Sequence, residues 1–280
     1  LRSFSYYRAV FQECYGVSLD QMDQVKNAQS EMDKKYISTD KDITSNKQGF
    51  ELLNDLFIKR HKSLLWKPSL IVSCGALVLI ALILLWLFFV PEMKEKLNAG
   101  ILGSFSAFVF LMYAVNRGTD YTRVLFVNCD HSLLTYSFYK VPGQILKLFR
   151  IRLWGIMKVN LLPAVIIGAG VNLLLFASGG TDKPLNYLII FVSIVGLAVF
   201  FSVHYLTMYY LLQPFNAGSE VKNGFYKLIM SLTYIVCYVM WQAEISLSGF
   251  GIGVIIFCVL YSVIACLLVY KFAWKTFKIR

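Results

Sequence analysis

Six long apolar runs constrain this chain more than any other feature in it: residues 68–90, 97–115, 156–177, 185–212, 225–240 and 251–272. An α-helix rises 1.5 Å per residue, so crossing a hydrocarbon core of about 30 Å takes roughly 20 residues. Most of the runs reach that length, and the fifth does when it is extended to 245. The pattern predicts an all-α polytopic membrane protein with six transmembrane helices.

The distribution of charge predicts its orientation. Lys and Arg exceed Asp and Glu by 27 to 16, a net charge of +11. In a soluble protein such an excess would suggest nucleic acid. Here it is segregated, as in membrane proteins whose cytoplasmic loops are rich in Lys and Arg. Eleven Lys/Arg precede residue 68 and six lie in 116–155, whereas three of the other connections carry only Lys94, Lys96 and Lys183. Lys222 and Lys227 flank the fourth-to-fifth connection, and Lys271, Lys275, Lys278 and Arg280 close the chain. An even number of spans with both termini cytoplasmic satisfies this pattern, in a multi-pass protein of the cell (plasma) membrane that binds no nucleic acid. The chain begins with Leu, without a recognisable signal peptide, so a longer native protein is expected.

Three domains are expected. Residues 1–48 are polar and mixed in charge, a cytoplasmic segment or linker. In 49–67 an apolar stripe (Phe50, Leu53, Leu56, Phe57, Leu64, Leu65) runs beside a basic cluster of Lys59, Arg60, His61 and Lys62, with Trp66 and Lys67 at its end. That describes an amphipathic helix in the membrane interface, attracted to anionic lipid headgroups, or an ordinary juxtamembrane helix. Residues 68–280 form the six-helix domain. Small residues on its second span (Gly100, Gly103, Ser104, Ser106, Ala107) permit close helix packing. Pro163 favours a kink in the third.

The connection between spans two and three, 116–155, is unusual in carrying apolar and aromatic residues. Asp130 is a suitable helix N-cap, and Leu133, Leu134, Tyr136, Phe138 and Tyr139 come after it, then Lys140. Pro142 suits the first turn of a second helix, in which Ile145, Leu148, Phe149 and Arg152 share a face leading into span three. An exposed apolar patch here marks a docking surface or packs on residues 1–48.

This arrangement resembles the permease subunit of ABC-2-type exporters, in particular a divergent Gram-positive branch. The resemblance in span layout covers residues 49–280, and the local pattern is carried by Asp130, Leu133, Leu134, Tyr136, Phe138, Tyr139, Lys140 and 145–148. It implies that 130–142 is a coupling helix seated in a groove of an ABC ATPase subunit. It further implies a second permease copy or half across a central path. No G-x-x-x-x-G-K-[ST] loop occurs, so ATP and Mg are expected on a separate chain.

Other chemistry finds little support. No HExxH, paired intramembrane Asp or Ser/His/Asp arrangement is visible, so no enzyme activity is expected. The six cysteines show no CxxC pairing and fit helix interfaces. His204 is the one histidine within a span, a functional candidate or a neutral side chain bonded to a neighbouring helix. The connection 241–253 is charged only at Glu244 and contains Gly249, Gly251 and Gly253. By the resemblance these four residues form an outer gate of short re-entrant elements; the alternative is a flexible turn. The expected function is export of amphipathic cargo such as peptides or lipid-like molecules. The alternative is a non-transporting sensor or scaffold that binds a partner through residues 1–67.

Overall fold

The structure, a computed structural model, describes residues 44–134, 141–216 and 221–278. Within them the chain is helical, without strands; one isolated antiparallel bridge pairs Phe215 with Val221. The helices are α1 (Gly49–Arg60), α2 (Lys62–Phe89), α3 (Met93–Gly103), α4 (Ala107–Val115), α5 (Gly118–Leu125), α6 (Pro142–Ala177), α7 (Leu185–Leu212), α8 (Gly224–Gln242) and α9 (Leu247–Thr276). Five are long and apolar enough to cross a membrane, or six if the bent pair formed by α3 and Ala107–Leu133 is one span. The architecture fits a multi-pass membrane protein.

Helices α6 and α7 form the centre. Of their most apolar stretches 56% is buried, against 11% for α2 and α8 and 22% for α9. Helix α9 packs on α7 and α6, α2 on α6, and α8 mainly on α4. Helices gain no hydrophobic free energy from each other in lipid, so close contact and polar links must hold this arrangement. Both are present. Ser69 donates to the Val159 carbonyl (2.6 Å), joining α2 to α6. Asn160 donates to Asn116 (2.7 Å) and Ser202 (2.9 Å), and its amide oxygen accepts from the Arg117 backbone N–H (2.9 Å). One buried amide thus satisfies the break between α4 and α5, where intrahelical partners are missing.

Several element boundaries differ from those expected. The interfacial helix 49–67 divides at His61, so Trp66 and Lys67 lie in the opening turns of α2 rather than ahead of it. The His61 ring bonds the Phe57 carbonyl (2.8 Å) and stacks on the Phe57 ring (centroids 4.6 Å apart), which fixes this corner.

The second span, expected as one helix over 97–115, bends by 83° between α3 and the next helix. The cause is tertiary. The Ser106 N–H donates to the Ile245 carbonyl (3.2 Å), and the Ile245 N–H donates to Ser106 Oγ (2.9 Å). Beyond Arg117 the helical path continues through α5 into a π-helical turn, Phe126–Asp130, and a last turn, His131–Leu133. Helix α6 begins at Pro142 and runs unbroken through Pro163 to Ala177, so the expected amphipathic helix and span three are one element. The connection between α8 and α9 shrinks to residues 243–246.

Candidate functional site: a buried charge cluster beside the 131–141 connection

Among the described residues, the most deeply buried charges meet at the end of the bundle that carries α1. Arg152, 1% exposed, projects from α6 on the same face as Ile145, Leu148 and Phe149. Asp130, 0% exposed, closes the π-helical turn. The extra residue in such a turn shifts the register of the residues beyond it, and π-turns recur at functional sites. Here it delivers Cys129 and Asp130 to α6. The guanidinium grips the carboxylate as a fork: Nη1 donates to Oδ2 (2.8 Å) and Nη2 to Oδ1.

Neighbouring helices occupy the remaining positions. Arg152 Nε donates to Asn54 Oδ1 on α1 (3.2 Å), and Nη1 also donates to the Tyr210 hydroxyl on α7 (2.8 Å). The Tyr209 hydroxyl donates to Asp130 Oδ2 (2.6 Å), and Cys129 Sγ lies 3.7 Å from Nη2. Phe277, just past α9, stacks on Tyr210 with ring centroids 4.5 Å apart. Burying two ions is costly unless geometry is good and their other hydrogen-bonding positions are filled. A bidentate pair flanked by Asn54, Tyr210, Tyr209 and Cys129 meets both conditions, so the cluster is built for rigidity.

Around it lie Phe57, Phe126, Phe149 and Phe215, all buried. The cluster's one thiol, Cys129, and its carboxylate are buried against the guanidinium, and no group of His, Cys, Asp and Glu among the described residues is placed to hold a metal. Its chemistry is mechanical. It clamps the start of the 131–141 connection to α1, α6 and α7.

The expected coupling residues separate in this setting. Asp130 is not an N-cap: its backbone is helical, it makes no capping bond, and its carboxylate is engaged by Arg152 and Tyr209. Leu134 is buried and Leu133 half-buried, so neither forms an open patch, while His131 and Ser132 are exposed. Pro142 opens α6. Tyr136, Phe138, Tyr139 and Lys140 lie outside the described residues.

The interfacial group is brought together. Lys59, Arg60, Lys62 and Lys67 are exposed and, with half-buried Trp66, line a surface concavity of about 510 Å³ at the start of α2. Lys59 also pairs with Asp55 (2.9 Å), as does Lys47 (3.1 Å). The Lys59 ammonium, then Ser45, hold the Asp55 carboxyl below the usual carboxylate range. Burial lowers the pKa of His61.

The four expected gate residues do not share a loop. Glu244 sits in the turn with φ +45°, whereas Gly249, Gly251 and Gly253 are helical, within α9. Gly251 is where α9 presses on α7: a Cβ there would stand 2.5 Å from Ile189 Cγ2. Gly249 and Gly253 instead face open space along a groove.

Arg152 was legible only as one face residue of an amphipathic helix. The available signal was a charge set within an apolar stripe. No known protein family, curated protein or solved structure matches this chain.

Proposed function

We propose that this chain is the membrane-spanning permease subunit of an ATP-driven exporter of the ABC-2 type, in the plasma membrane with both termini cytoplasmic. A separate ATPase chain binds ATP and Mg, and a second permease copy or half completes the path for amphipathic cargo. The observation that carries this reading is the Asp130–Arg152 cluster, which ties the connection between the second and third spans to three helices at once. A permease driven from outside the membrane requires such a joint. Force applied to a loosely held loop would be dissipated in it, whereas force arriving at Asp130 reaches α6 and α7 through its buried contacts.

The test is co-purification with an ATPase encoded beside this chain, using Tyr136→Asp and Phe138→Asp. Leu134 is left intact because it is buried. Loss of the ATPase with an unchanged melting temperature supports the reading. A chain that purifies alone, or whose complex survives both substitutions, refutes it and favours the sensor or scaffold.

A further inference from the structure

A groove of about 870 Å³ runs between α8 and α9, with α7 as its floor. Its walls are almost wholly apolar, with Leu197, Phe200, Leu232, Val236 and Phe257 among them. One end, near Gly249, Gly253 and Met240, lies by the α8–α9 turn; toward the other lie His204, Thr233 and Tyr261, with Met208 and Ile229 beyond them. On α9, Gly249 to Tyr261 is a rise of about 18 Å at 1.5 Å per residue. One leaflet of a bilayer with a hydrocarbon core of about 30 Å is about 15 Å deep. The groove is therefore about one leaflet long, on three helices that the bilayer surrounds.

The chemistry of the inner end restricts the occupant. His204 Nδ1 meets the Tyr261 hydroxyl at 2.8 Å and Nε2 meets Thr233 Oγ1 at 3.1 Å. The Thr233 hydroxyl itself donates to the Ile229 carbonyl (2.8 Å). With Nε2 protonated and Nδ1 accepting from Tyr261, each of these contacts has a donor and an acceptor. The three side chains satisfy one another, so the polar part of the groove asks nothing of a ligand. A charged or hydrogen-bonding molecule would be desolvated there without compensation, whereas an alkyl chain would lose nothing.

We propose that this groove is a binding site for one acyl chain of a bilayer phospholipid, entering from the leaflet beside the α8–α9 turn. The site stands apart from ATP coupling and holds whichever partner drives the chain. The absence of side chains at Gly249 and Gly253 leaves the entrance open: a Cβ at either position meets nothing within 4 Å. A larger residue there fills the groove without disturbing the core.

The experiment uses the full chain in nanodiscs of phosphatidylcholine bearing a diazirine midway along one acyl chain, with labelled peptides mapped after irradiation. Label is expected to concentrate on 229–240 and 250–261. Gly253→Leu should lower it at least about tenfold, since several methylene contacts are displaced, and should not lower the melting temperature. Gly75→Leu, on an exposed face of α2 with equal free space, should leave the label unchanged. Gly249→Leu repeats the test should Gly253→Leu fail to fold. Equal labelling of exposed α2, or undiminished label in both groove variants, would mean annular lipid only and overturn the proposal. So would cross-links joining two chains through the groove with no lipid label, which would assign it to a second copy.

Discussion

Replacing Asp130 by Asn keeps the side chain's shape and removes its charge, leaving the Arg152 guanidinium 1% exposed without its forked counter-ion. Removing one partner of a buried ion pair costs about 3–5 kcal/mol. At roughly 2–4 °C per kcal/mol for a chain of comparable size, the melting temperature in nanodiscs should fall by about 6–20 °C. Replacing both partners should cost less than the two single changes added together. In Asp130→Leu with Arg152→Met no buried charge remains, although Tyr209, Tyr210 and Asn54 lose partners at about 1–3 kcal/mol for each group left unsatisfied. Intrinsic fluorescence on heating reads the parent, Asp130→Asn, and the cycle of Asp130→Leu, Arg152→Met and their double variant. An Asp130→Asn melting point within about 2 °C of the parent, or strictly additive losses in the double variant, would show that the pair is not a structural clamp.

Local packing and titration give two further expected outcomes. Gly118→Ala places a Cβ 2.5 Å from Tyr205 Cβ and Cγ, atoms that cannot swing aside, and should cost about 1–3 kcal/mol in a thermal melt; Gly143→Ala, with nothing within 4 Å, should be neutral or slightly stabilising. His61 is held neutral by burial, so below about pH 6.5 the unfolded chain binds a proton that the folded chain resists. Stability of the α1–α2 corner should therefore decline as pH falls from about 7.5 to about 5.5, read by hydrogen exchange in α1, and His61→Gln should remove the slope. Asp55 does not contribute in that window: its lowered carboxyl adds stability that is present above about pH 4 and lost only below it.

How much was legible depended on whether an element's neighbours lay in its own sequence. The run 185–212 coincides with α7, because an apolar stretch bounded by Lys183–Pro184 and Gln213–Pro214 specifies its own ends. The run 97–115 misled, because the small residues at Gly103, Ser104 and Ser106 read as a packing face, while the bend there is tied by Ser106 meeting Ile245, distant in sequence. Asp130 misled in the same way. An acidic residue before a short apolar stretch is a fair N-cap, but Arg152 and Tyr209 compete for the carboxylate and win. The gate glycines were legible as flexible positions, yet the helix continues through them, and only α7 and α8 reveal that Gly251 is a contact while Gly249 and Gly253 are openings.

The join between the bent second span and the α8–α9 turn is written asymmetrically. On one side it uses a side-chain oxygen, that of Ser106; on the other it uses only the backbone of Ile245. Any residue with an N–H serves at 245, so that position can drift in size and polarity while the corner keeps its shape. Position 106 has no such latitude, since its hydroxyl is the acceptor for the Ile245 N–H. A mutational scan of the corner would find one tolerant and one intolerant member in a pair that touch each other, and the tolerant one would be the larger and more hydrophobic.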